Sequence, residues 1–117
     1  MKVHAIIIDK SIPDPNLWNK LKVIGKRESP ANFWTLFKID FSKVDENLIK
    51  NLQENLIGNF YFHYYNANEI KVIFKEKIFT LTKDKITWKE MQEYGLSIGV
   101  PKDQLTIQPI SFEDETF

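Results

Sequence analysis

A chain of 117 residues with 43% hydrophobic and 14% aromatic side chains has enough apolar surface for one continuous core and too much for disorder. Its 16 basic and 16 acidic residues cancel to zero net charge, which argues against a broad electrostatic footprint for nucleic acid or an anionic membrane and makes self-association unsurprising. The absence of cysteine excludes disulfides, thiolate nucleophiles, iron–sulfur clusters and cysteine zinc sites.

Val3 to Ile8 is a short β-branched run, apolar on both faces except at His4, and reads as a central strand. Ile12-Pro13-Asp14-Pro15 interrupts it. Asp14 suits a helix N-cap and Pro15 the first helical position. Leu17, Trp18, Leu21 and Ile24 follow at helical spacing, with Gly25 where a left-handed helix end is expected. The polar stretch 26–32 then reads as a loop. From Phe33 to Phe41 the pattern alternates, with Phe33, Thr35, Phe37, Ile39 and Phe41 opposite Trp34, Leu36, Lys38 and Asp40, as in a half-buried strand.

A second helix is expected to start near Ser42 or Asp45, show Leu48, Ile49, Leu52, Leu56 and Ile57 to the core, and end at Gly58. Asn59 to Tyr65, Ile70 to Phe74 and Ile78 to Leu81 are separated by turn signals and read as an antiparallel meander. Thr87 and Glu90 fit a capping box. Trp88, Met91, Gly95 and Ile98 make the face of the helix it opens, which Gly99 and Pro101 stop. A short strand is expected at 105–107, and a mobile acidic tail over about 110–117, containing Glu113, Asp114 and Glu115 between Phe112 and Phe117.

These elements predict a single α+β domain over 1–117, in the order β-α-β-α-β-β-β-α-β. A mostly antiparallel sheet should carry its helices on one face. The order resembles that of ferredoxin-like α+β sandwiches, a likeness of topology that implies no function. The opening apolar run is too short for a signal peptide, and no stretch nears the roughly 20 apolar residues that span a bilayer, so a cytoplasmic location is expected.

No Gly-rich phosphate loop, nucleophile elbow or histidine-rich metal motif occurs, and no cofactor is implied. His4 and His63 are the only histidines. One constellation mixes useful chemistries. If the strands pair suitably, Lys38, Asp40, Tyr61, His63, Tyr65 and Lys71 share a sheet face. His63 and Asp40 are the candidates for acid–base work there. Lys38, Tyr61 and Tyr65 are candidate ligand contacts. Trp34, near a strand end and opposite the phenylalanines, is the tryptophan most suited to touching a ligand or partner. Arg27, the only arginine, sits beside Glu28 and Ser29 and could hold a small anion.

The same face could equally be solvated or an interface. The reading placed first is a non-catalytic binding or interaction module, whose partner is itself as a homodimer, another protein or a small molecule. The alternatives are a small-ligand binder or enzyme using His63, Asp40 and the tyrosines, and a single-stranded nucleic-acid binder stacking bases on the aromatics. Zero net charge speaks against the last.

Overall fold

A computed structural model of the chain describes residues 2–29, 33–105, 107 and 109–115. Its elements are β1 (Val3–Ile8), α1 (Pro15–Trp18), β2 (Val23–Glu28), β3 (Thr35–Phe41), α2 (Glu46–Glu54), β4 (Tyr61–Tyr65), β5 (Ile70–Phe74), β6 (Ile78–Leu81) and α3 (Lys89–Ser97). Short 3-10 turns lie at Asp9–Ser11, Lys85–Trp88, Lys102–Leu105 and Phe112–Asp114. The fold is α+β, with one six-stranded sheet in the order β2-β3-β1-β4-β5-β6. Every neighbouring pair is antiparallel. β1 and β2 therefore run parallel with β3 between them, and β3 and β4 run parallel with β1 between them. α1 lies on the first connection and α2 on the second.

The N-caps explain why the first two helices start where they do. The Asp14 carboxylate accepts from the Asn16 amide. Asp45, rather than Ser42, accepts from the amides of Asn47 and Leu48. α2 buries Ile49 and Leu52 and ends at Glu54, before Gly58, whose φ of 57° serves the turn into β4. Gly99 does close α3. At φ 94° it donates to Leu96, while Val100 donates to Gly95, a paired arrangement that satisfies the last carbonyls.

Three expectations are corrected. Residues 23–28 are neither helix nor loop but the edge strand β2, with Gly25 inside it beside a register shift against β3. An edge strand with one partner has no buried face to impose alternation, and five of its six residues are exposed. The capping box of Thr87 and Glu90 does not form. Asp84 caps the 3-10 turn that leads into α3, and the Thr87 hydroxyl donates to the Asp84 carbonyl and accepts from the Thr82 amide. The helices are not all on one face, because α3 crosses to the other. At 105–107, Leu105 ends a 3-10 turn, and Thr106 lies outside the described residues.

The sheet is thus buried on both sides. On one, Val3, Ala5, Ile7, Ile39, Phe41, Phe62 and Ile73 pack against Leu17, Ile49 and Leu52 of α1 and α2. On the other, Tyr65, Ile70, Val72, Phe74 and Leu81 pack against Met91 of α3 and against Val100, Leu105, Ile107, Ile110 and Phe112. Each fully buried side chain such as Ile7, Phe62 or Met91 contributes roughly 1.5–3 kcal/mol relative to exposure. The C-terminal segment expected to be a mobile tail lies against this second face as far as Glu115. Its last two residues lie outside those described.

Candidate functional site

Strand register decides which side chains meet. Paired residues in an antiparallel ladder point to the same face. His4 pairs with Asp40 on one side and Tyr65 on the other, and Ile6 pairs likewise with Lys38 and His63. With Tyr61 two residues from His63, the expected set Lys38, Asp40, Tyr61, His63 and Tyr65 does share one face. Lys71 does not. It pairs with Tyr64 and donates to Thr80 on the other side. α3 and the C-terminal segment pack over part of this face.

Four of the five residues divide between two places. At one end lies a closed polar cluster that takes Lys38 and Tyr65. Its centre is Glu115. The Glu115 carboxylate accepts from His4 Nδ1, 2.8 Å from both oxygens, and from the Tyr65 hydroxyl, with Lys38 Nζ at 3.4 Å. A carboxylate only accepts, so Nδ1 of His4 carries the hydrogen. The Phe112 ring stacks on His4 at 3.8 Å and 14°. Burial pushes the Glu115 carboxyl upward, but the bonds from Tyr65 and His4 and the charges of His4 and Lys38 outweigh it, leaving it below its ordinary value. Burial first, then the bond to Glu115 and its charge, push the Tyr65 hydroxyl well up.

Asp40 lies beside this cluster but is turned to the rim. Its Oδ2 is 3.8 Å from both Lys2 and Lys22, and its buried Oδ1 has no hydrogen-bond partner among the described residues. Two strand spacings and two residues along β1 separate Asp40 from His63, so their backbones stand about 10 Å or more apart, and no hydrogen bond joins them.

At the other end of the face His63 lies on the floor of a cleft of about 310 Å³. Ile6, Ile8, Trp34, Leu36, Tyr61 and Ile107 give it apolar and aromatic walls. Ser29, Asp103 and Gln104 supply its polar edge. Burial lowers the His63 pKa to about 4, so the ring is neutral at pH 7. Tyr61 and Tyr65 flank it, with ring centroids 6.5 and 5.8 Å away. Its nitrogens take no hydrogen bond from any described residue. Burial also pushes the Tyr61 hydroxyl up to about 12, and that hydroxyl donates to the Gln104 carbonyl, fastening one cleft wall to the sheet.

Trp34 lines several hollows in this region. Its carbonyl accepts from the Ser29 amide, its ring meets Phe60 edge-on at 5.1 Å, and two further hollows, of about 550 and 160 Å³, share it as a wall. Phe33 before it is 85% exposed at a left-handed φ of 59°. Arg27 is exposed on β2 opposite Leu36 and lines none of these hollows.

Sequence reasoning missed the roles of His4 and Glu115 and the walls from Gln104 and Ile107. The acidic run between Phe112 and Phe117 was a usable signal, since an acidic–aromatic segment fits a basic surface. Here that surface belongs to the same chain. Among the described residues no group of three or more metal-binding side chains converges, and no helix is long and apolar enough to cross a membrane. No family model, curated protein or solved structure matches the chain.

Proposed function

We propose that the chain is a small binding module that holds a planar, largely apolar small molecule in the cleft between Trp34 and His63. The observation that carries this reading is the neutral imidazole of His63, hydrogen-bonded to no described residue, on the floor of an apolar cleft. A ligand that buries a ring against Trp34, Ile6 and Leu36 and offers one N–H or O–H to His63 suits both the apolar walls and the acceptor nitrogen of the neutral ring. The volume suits a one- or two-ring molecule, at the lower end of small-ligand sites. No Lys or Arg is among the described residues that line the cleft, which favours an uncharged ligand over an anion. The reading is non-catalytic: among the described residues no carboxylate is hydrogen-bonded to His63, and Asp40 faces Lys2 and Lys22.

Indole is a suitable probe. Titration into the labelled protein should shift the amides of His63, Trp34, Tyr61 and Gln104 in a saturable way, and His63→Leu should weaken binding about tenfold, the cost of one lost hydrogen bond. Shifts confined to other surfaces, or equal binding by the variant, would remove the proposal.

At the level of fold we propose that β1-α1-β2-β3-α2-β4 is a ferredoxin-like core extended by β5 and β6. The two interleaved units, each a pair of parallel strands with a third between them, support it. So does the packing of α1 and α2 against the same face.

A further inference from the structure

The closed end of the same face carries a second inference, independent of the His63 cleft. We propose that His4, Lys38 and Tyr65 form a binding site for small aromatic carboxylates, which the chain's own Glu115 and Phe112 occupy in this structure. The three donors come from three adjacent strands, β1, β3 and β4, and converge on one carboxylate. The side chains of His4 and Lys38 are only 9% and 7% exposed, and Tyr65 is 4% exposed. Burying a lysine and a hydrogen-bonding histidine in mid-sheet is costly unless an anion meets them. The neighbouring acid, Asp40, is directed to Lys2 and Lys22.

The occupant comes from the C-terminal segment, which is joined to the sheet by side-chain contacts. Glu115 reaches His4 across 111 residues of sequence, and between Leu105 and Glu115 the only regular structure among the described residues is one 3-10 turn of three residues. A segment without strand pairing opens locally at far less cost than global unfolding. What it presents is a ring and a carboxylate side by side, with Phe112 stacked on His4 and Glu115 among the donors. A free ligand with both groups, such as phenylacetate, makes the same contacts once the tail leaves. The tail then acts as an intramolecular competitor, and apparent affinity falls by the fraction of molecules in which the site is vacant.

The test compares phenylacetate binding to the full-length wild type and to Glu115→Ala, following the amides of His4, Lys38 and Tyr65 at constant ionic strength. Glu115→Ala should bind phenylacetate at least about tenfold more tightly than wild type, as removal of a competitor requires. Lys38→Met added to it should abolish the gain. Acetate, which lacks the ring, should bind more weakly than phenylacetate. Equal affinity in wild type and Glu115→Ala, or shifts away from these residues, overturns the site. Should Glu115→Ala not fold, Phe112→Ala is compared instead. It loosens the tail and keeps all three donors, and an affinity no higher than wild type overturns the proposal there as well. Because indole and phenylacetate report on different residues, failure of one site leaves the other standing.

Discussion

His63 ties protonation to stability in a way that can be read without knowing any ligand. Its ordinary pKa of 6.5 falls to about 4 in the folded chain because burial disfavours the charged ring. Between those values the unfolded chain binds a proton that the folded chain refuses, so stability falls as pH drops from about 6.5 toward 4 and levels off below. From pH 7 to pH 5 the loss should be about 1 to 2 kcal/mol. Glu115 is lowered from 4.5, so it contributes little to a change between pH 7 and pH 5. Urea denaturation at both pH values checks this. The wild type should lose stability, and His63→Phe, which fills the same space without titrating, should lose at least about 1 kcal/mol less. Parallel losses in the two proteins would mean that His63 is solvated.

At the scale of elements, α2 depends on its start. Its first amides are satisfied by the Asp45 carboxylate, exposed enough that no packing changes on truncation. Asp45→Ala should therefore cost about 1 kcal/mol in urea denaturation, the usual loss for such a cap. A cost near zero would show that water replaces the cap. α2 and the meander were legible because each has one face in a core, and burial imprints its period on sequence. β2 was not legible, since an exposed edge strand carries no such imprint and Gly25 imitates a helix stop. The start of α3 misled for a related reason. Thr87 and Glu90 have the right spacing for a capping box, but Thr87 bonds Asp84 and Thr82 instead. The shared face of Lys38, Asp40, Tyr61, His63 and Tyr65 followed from period two alone. Its division into a cleft and a closed cluster did not, because that depends on Glu115 and Ile107 arriving from the far end of the chain.

The whole molecule is a sheet graded from centre to edge. β1 is bonded on both sides, by β3 and by β4, and carries Ala5 and Ile7 with no exposure at all. Its amides can exchange with solvent only when most of the structure opens. β2 is bonded on one side, exposed along its length and shifted in register at Val23 and Gly25, so it can separate from β3 without disturbing either core. Opening free energies run from near zero at such edges to the global stability, typically 5–15 kcal/mol. Hydrogen–deuterium exchange read by mass spectrometry should therefore find peptides over Val23–Glu28 exchanging roughly two orders of magnitude or more faster than those over Val3–Ile8. The comparison also bears on self-association. An edge strand with half-exposed Val23 and Ile24 is the surface on which a second copy could extend the sheet, although Lys26, Arg27 and Glu28 and the register shift oppose flush pairing. In a dimer joined there, β2 would gain a second partner and its exchange would slow as protein concentration rises. Fast exchange at every concentration assigns the β2 edge to solvent.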